Sequence, residues 1–182
     1  VKDILKKYNL NLVGINQHIG SLFMDGTAFV KSIGNLLEIA KQFKGLKFID
    51  MGGGFGIPYK KEFDEPALDL KDLGSKIDEA LFKFSKEYGS EVTFRIEPGR
   101  YISAECGVIL GTVHAVKYNH SHKFAGTDIG FNVLQRPIMY DSYHGIEVFR
   151  KSDKKSEKNE DITIVGNICE SGDILAKDRN LP

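Results

Sequence analysis

The sequence has no excess charge of either sign, very little cysteine and no long apolar run. Each shortage removes a class of function. Lys and Arg number 25 and Asp and Glu number 25, so the formal net charge is zero. Nothing in that balance would draw the chain to nucleic acid or to an anionic membrane surface. Cys106 and Cys169 are too few for a disulfide framework and fit a reducing compartment. No stretch approaches the length of a membrane span, and no basic-then-apolar leader opens the chain, so the expected location is the cytoplasm. Repeats at solenoid spacing and low-complexity tracts are also missing. His120 and His122 share a turn with no third ligand near them, so no metal is expected.

What is present is a chain of 182 residues with 41% hydrophobic side chains, enough to bury a core in one or two domains. It starts at Val1 in a charged, helical-looking stretch and stops at Leu181-Pro182 after a polar loop. The expectation is a piece of something longer.

Residues 10–15 read as a short buried strand. Asp25 or Thr27 then caps a helix whose apolar residues Phe29, Val30, Ile33, Leu36, Leu37 and Ala40 follow a 3.6 period, with Gly45 as its end. Residues 46–51 form the next strand. Leu70, Leu73, Ile77, Ala80, Leu81, Phe84 and Tyr88 mark a second amphipathic helix ending at Gly89, and Val92, Phe94 and Ile96 alternate as a third strand. Strands joined by single-helix crossovers predict a parallel sheet, doubly wound or closed into a barrel. Past residue 107 the helical period disappears. Residues 108–118, 123–128, 145–149 and 162–165 read as strands, so the expected fold is α/β over residues 1–106 followed by a β-rich domain over 107–182. The mixed-charge run at 150–161 reads as a solvated hairpin tip or loop.

Five polar clusters could carry chemistry. Gly52-Gly53-Gly54-Phe55-Gly56 follows a predicted strand, where glycines let backbone N–H groups converge on an anion. It lacks the last glycine of the dinucleotide fingerprint and the Gly-Lys-Ser/Thr of a P-loop. A phosphate loop after a late barrel strand remains, as does a tight turn with no ligand. His18-Ile19-Gly20-Ser21 and Glu97-Pro98-Gly99-Arg100 fall at the same, C-terminal strand end, where parallel α/β proteins bind ligands. His18 could equally be structural, and Glu97 and Arg100 an ion pair at a domain junction. Arg136-Pro137-Ile138-Met139-Tyr140 and Cys169-Glu170-Ser171-Gly172-Asp173 are either functional or ordinary loops.

In this order, His-Ile-Gly-Ser, Gly-Gly-Gly-Phe-Gly, Glu-Pro-Gly-Arg-Tyr, Arg-Pro-x-x-Tyr and Cys-Glu-Ser-Gly-Asp resemble the pyridoxal-phosphate-dependent decarboxylases of the alanine-racemase-like barrel fold, and among them the diaminopimelate decarboxylases. The resemblance covers residues 12–181. It implies the later strands of a (β/α)8 barrel followed by the start of a β domain. The implied activity is decarboxylation of meso-2,6-diaminopimelate to L-lysine and CO2, the last step of lysine biosynthesis, in a homodimer with shared sites. By the same resemblance His18 stacks on the cofactor ring and Ser21, Gly52, Gly53 and Gly54 hold its phosphate. Glu97 pairs with the pyridine nitrogen, and Arg100 lies at the cofactor and substrate. Arg136 and Tyr140 bind the far end of the substrate. Cys169, as a proton donor, and Glu170, as acceptor of the distal ammonium, come from the partner subunit.

Asn16 stands where that family usually has a histidine, and Gly166-Asn167-Ile168 replaces a usual Gly-Pro lead into the cysteine motif. The resemblance also puts the cofactor-anchoring lysine on an early barrel strand before Val1 and a Gly-Ala-Tyr segment after Pro182, so these 182 residues alone are expected to be inactive. Decarboxylases of ornithine, arginine or carboxynorspermidine, and a non-catalytic pyridoxal-phosphate-binding homologue, are the alternatives. Arg136 together with Glu170 favours a substrate with a distal carboxylate.

Overall fold

In the computed structural model, residues 1–150 and 158–182 are described. They form two units, Val1–Pro58 with Pro66–Gly107, and Tyr59–Glu65 with Val108–Pro182.

In the first unit, α1 (Lys2–Lys7) precedes β1 (Gly14–Asn16), α2 (Thr27–Ala40), β2 (Phe48–Gly53), α3 (Leu70–Tyr88), β3 (Thr93–Glu97) and the short α4 (Gly99–Ser103). The three strands pair in parallel in the order β1-β2-β3. Ile15, Ile49 and Phe94 share a register row and lie in the core with the helices. Fully buried Phe29 and Ile33 of α2 pack in this core with Phe84 of α3. Each such side chain contributes about 1.5–3 kcal/mol relative to exposure. Phe23, Phe29 and Phe55 close one end, with ring centroids 5.0–5.2 Å apart.

Local signals explain the helix ends. Asp69 accepts from the N–H groups of Lys71 and Asp72, and Gly89 adopts φ 73° at the other end of α3, so that helix has the span its pattern predicts. At the start of α2 the N-cap position falls on Gly26, with no side-chain cap, because Thr27 is already the first helical residue. The expected cap, Asp25 or Thr27, is instead a turn in which Asp25 Oδ1 accepts from both the hydroxyl and the N–H of Thr27, which holds its carboxyl below the ordinary value of 3.8. At the far end α2 stops at Ala40, short of Gly45, because Gln42 and Phe43 bond to carbonyls only three residues back. The Tyr88 hydroxyl donates to Phe43 O at 2.7 Å and accepts from Leu46 N, tying this turn to α3.

Strand boundaries moved for want, or presence, of partners. Residues 10–13 are not strand, since the pairing of β1 starts at Gly14 opposite Phe48, the first residue of β2. Conversely β2 runs on to Gly53, which pairs with Glu97.

In the second unit, β4 (Val113–Asn119), β5 (His122–Thr127), β6 (Glu160–Val165) and β7 (Ile174–Leu181) form a sheet in chain order, with α5 (Arg136–Tyr140) between β5 and β6. β4 and β5 are an antiparallel hairpin turned at His120, whose φ is 54°. β5 and β6 are parallel, and β6 and β7 antiparallel. The expected strand at 145–149 is irregular: Phe149 is 82% exposed and finds no ladder. Residues 108–112 likewise precede the ladder, whereas the end of the chain, expected as a polar loop, is β7, because it pairs with β6 from Ile174 to Leu181. The charged run expected as a loop at 150–161 lies mostly outside the described residues, but its last two, Glu160 and Asp161, begin β6.

The segment Tyr59–Glu65, continuous with the glycine-rich loop, belongs to this second unit. The Tyr143 hydroxyl donates to the Glu62 carboxylate, and Arg179 lies 3.4 Å from the same oxygen with its guanidinium 3.7 Å from the Tyr143 ring centre. Burial pushes the Arg179 guanidinium below its ordinary value, against the pull of Glu62. Among the described residues no helix is long and apolar enough to cross a membrane, and no group of three or more His, Cys, Asp or Glu side chains could hold a metal ion.

Candidate active site

The parallel strands of the first unit end together. Past Asn16 the chain turns through Gln17 and His18, past Gly53 through Gly54, and β3 ends at Glu97 beside Gly53. Gln17 N–H donates to Asp50 O at 3.1 Å, and Gly52 N–H donates to Asp50 Oδ1 at 2.9 Å, so one residue holds both loops.

The glycines are required here by close approach. A Cβ on Gly52 would lie 2.1 Å from Gln17 O, on Gly53 2.0 Å from Glu97 O, and on Gly54 2.3 Å from Gly20 O. Gly52 and Gly54 also have φ of 75° and 104°, which side chains resist. The loop is therefore wedged, backbone against backbone, between the His18–Gly20 turn and the end of β3. Phe23 N–H to Gly54 O and Gly56 N–H to Phe23 O, both 3.0 Å, extend the seam. Arg100, on α4, donates through Nη2 to Ser21 Oγ at 2.8 Å and closes the ring. His18, Ser21 and Glu97 are exposed on this rim and Arg100 is half-buried. The structure thus brings together His18, Ser21, Gly52, Gly53, Gly54, Glu97 and Arg100.

The second unit gathers the rest. Arg136 opens α5, donates from Nη2 to Ser142 Oγ at 3.1 Å, and has its guanidinium 5.9 and 5.6 Å from the ring centres of Tyr59 and Tyr140. Its Nε is buried without a hydrogen-bond partner, a donor still available to an acceptor. Cys169 and Glu170 are exposed on a turn that rests on α5: a Cβ on Gly172 would meet Ile138 Cδ1 at 2.4 Å. Behind the turn, Asp173 is 4% exposed and accepts from the N–H groups of Phe131 and Ile168.

Sequence reasoning passed over Asp50, Tyr59 and Ser142 and gave Asp173 no role. Asp50 and Tyr59 flank the glycine run, and adjacency was the available signal. For Ser142 and the buried state of Asp173 there was none.

Residues 8–182 match the family described as pyridoxal-dependent decarboxylase, C-terminal sheet domain. A diaminopimelate decarboxylase of Methanothermobacter thermautotrophicus is 45% identical over 178 residues, covering 93% of this chain and 40% of that protein. That of Archaeoglobus fulgidus is 42% identical over 174 residues, covering 93% and 40%. The crystal structure of diaminopimelate decarboxylase from M. jannaschii with L-lysine superposes with a TM-score of 0.79 at 32% identity, over 99% of this chain and 41% of that one. The chain spans about 40% of the length of the curated relatives it matches.

The strand-end rim suits pyridoxal phosphate. It gathers the Ser21 hydroxyl and the Arg100 guanidinium, donors of the kind an anion takes, and the Glu97 carboxylate, of the kind a pyridine nitrogen takes. With a family match over nearly the whole chain, the chain belongs to the pyridoxal-dependent decarboxylases.

Proposed function

We propose that the protein to which this chain belongs decarboxylates meso-2,6-diaminopimelate to L-lysine and CO2 in the cytoplasm, using pyridoxal phosphate at the strand-end rim. The observation that carries the reading is the convergence of Glu97, the wedged glycines and the Arg100–Ser21 pair at one edge of a parallel sheet. In this reading the first unit supplies later strands of a (β/α)8 barrel and the second the start of a β domain. The lysine that anchors the cofactor lies outside these residues.

When bound, pyridoxal phosphate supplies the electron sink that makes loss of CO2 feasible. The chain's own groups do the rest. Ser21, Arg100 and the backbone of Gly53 and Gly54 hold the phosphate; Gly52 contributes the turn, since its N–H already serves Asp50. His18 would stack on the cofactor ring. Glu97 keeps a proton on the pyridine nitrogen, because a carboxylate favours the charged form of a neighbouring base. Arg136, its guanidinium flanked by Tyr59 and Tyr140, grips the distal carboxylate through paired N–H donors. Glu170 accepts the distal ammonium, and Cys169 Sγ delivers a proton to the carbon that has lost CO2. Both reach the site of a second subunit in a homodimer.

The test is steady-state kinetics of the full-length protein with meso-diaminopimelate, ornithine and arginine. Lysine formation from the first, with kcat/KM for the others at least about tenfold lower, is expected, since both lack the distal carboxylate and lose its charge-assisted contact, which costs about 1.5 kcal/mol or more. Turnover of ornithine or arginine at an equal rate contradicts the substrate assignment.

A further inference from the structure

Asp173 ends the cysteine-bearing motif, yet none of the roles above uses it. Its burial is unusual for a carboxylate: 4% exposed, with both oxygens engaged by backbone amides. Oδ1 accepts from Phe131 N at 2.7 Å and Oδ2 from Ile168 N at 2.6 Å. The backbone of the same residue is also anchored, since Gly166 N–H donates to Asp173 O at 2.9 Å and Asp173 N–H to Glu170 O at 3.0 Å. Gly166 makes room for the carboxylate: a Cβ there would lie 2.3 Å from Oδ2 and 2.4 Å from Oδ1, while one on Gly130 would meet Ile168 Cγ1 at 2.7 Å and Oδ2 at 3.0 Å.

These contacts join two loops. One runs from Gly130 and Phe131 toward α5 and so toward Arg136 and Tyr140; the other runs from Gly166 through Cys169 and Glu170. We infer that Asp173 is a positioning residue, a carboxylate clasp that sets the Cys169–Glu170 turn against the α5 loop. The inference rests on the decarboxylase reading for its effect on catalysis, but the clasp itself does not. A carboxylate is suited to the task because it presents acceptors in two directions. Asparagine of the same shape offers one acceptor and turns an NH2 toward the other amide, leaving a buried donor facing a donor.

The experiment compares Asp173→Asn with the wild type in the full-length protein loaded with pyridoxal phosphate. Two readouts need no turnover: cofactor retention by absorbance, and iodoacetamide alkylation of Cys169 measured against Cys106 by mass spectrometry. Cys106 lies in the first unit and serves as the internal reference. Expected are unchanged cofactor retention, a Cys169:Cys106 alkylation ratio shifted at least about threefold, and kcat lowered about tenfold to a hundredfold, as follows from misplacing a reacting group by an ångström or so. Lysine made in heavy water should carry deuterium on one face of the new methylene in the wild type and on both faces in the variant. An unchanged alkylation ratio in a folded variant overturns the clasp. A changed ratio with wild-type kcat and stereochemistry overturns its positioning role. A wild type that makes no lysine removes the decarboxylase reading while the alkylation ratio still decides the clasp. Should Asp173→Asn not fold, Asp173→Ser, which keeps one short acceptor but cannot reach both amides, is read by the same criteria.

Discussion

The two units build their candidate residues by opposite means. In the first, the rim is an extension of the sheet: parallel strands end together, and the loops leaving them are held by backbone-to-backbone contact at Gly52, Gly53 and Gly54. In the second, Arg136, Tyr140, Cys169 and Glu170 sit on a five-residue helix and a turn, and individual side chains fix their places: Asp173, Ile138, Ser142 and Tyr59. A rigid backbone cradle suits a cofactor that is the same in every turnover. A side-chain-braced surface suits the part of a site that must discriminate among substrates, because it can change without disturbing the sheet.

The comparison breaks first if the cradle tolerates side chains. Gly53→Ala would drive a Cβ to 2.0 Å from Glu97 O. Neither backbone can yield easily, so the expected loss is about 3 kcal/mol, at the upper end of overpacking costs, together with weakened cofactor binding. Denaturant unfolding and a pyridoxal phosphate titration check both, and wild-type behaviour in each would mean that the loop is loose.

A smaller effect is expected at the discriminating surface. Arg136→Ala should cost about 1.5–3 kcal/mol of diaminopimelate recognition, the range for a hydrogen bond to a charged group, while leaving cofactor affinity unchanged. Competition by ligands with and without a distal carboxylate makes the measurement. Equal weakening of both classes would place Arg136 outside substrate recognition.

The smallest effect concerns Asp25, away from either surface. Hydrogen bonds from Thr27, the hydroxyl first, hold its carboxyl below the ordinary value of 3.8. A depressed folded value means that its contribution is present above the unfolded value and lost as pH falls through the folded one. Asp25→Asn should therefore lower the thermal midpoint slightly at neutral pH, with the gap closing at pH below 3.8. A gap that stays constant with pH would assign the effect to the turn's shape rather than its charge.

The same contrast decides what was legible in the sequence. α3 could be read closely, because seven apolar positions and Gly89 are local signals, and the structure adds Asp69 as its cap. α5 was missed: five residues are too few to show a period, and Pro137 obscures the pattern. The strand expected at 145–149 had the right residue types but no neighbour to pair with, which only the assembled sheet reveals. In the site, the motifs marked His18, Ser21, Glu97, Arg100, Arg136, Tyr140, Cys169 and Glu170, and the structure shows where each of them sits. The reasons behind the motifs were hidden. Gly53 is glycine because Glu97 O is there, and Asp173 is aspartate because an amide of its own turn and one from the loop at Phe131 both meet it. Such constraints belong to contacts between segments far apart in the chain.

In the proposed function the strand-end rim holds pyridoxal phosphate with Glu97 at its ring nitrogen. The most direct test is NMR of the full-length protein loaded with cofactor isotope-labelled at that nitrogen, in the wild type and in Glu97→Gln. A protonated-nitrogen shift in the wild type that moves to the neutral range in the variant, with kcat falling far more than KM changes, is the predicted result. An identical shift in both proteins would contradict the account.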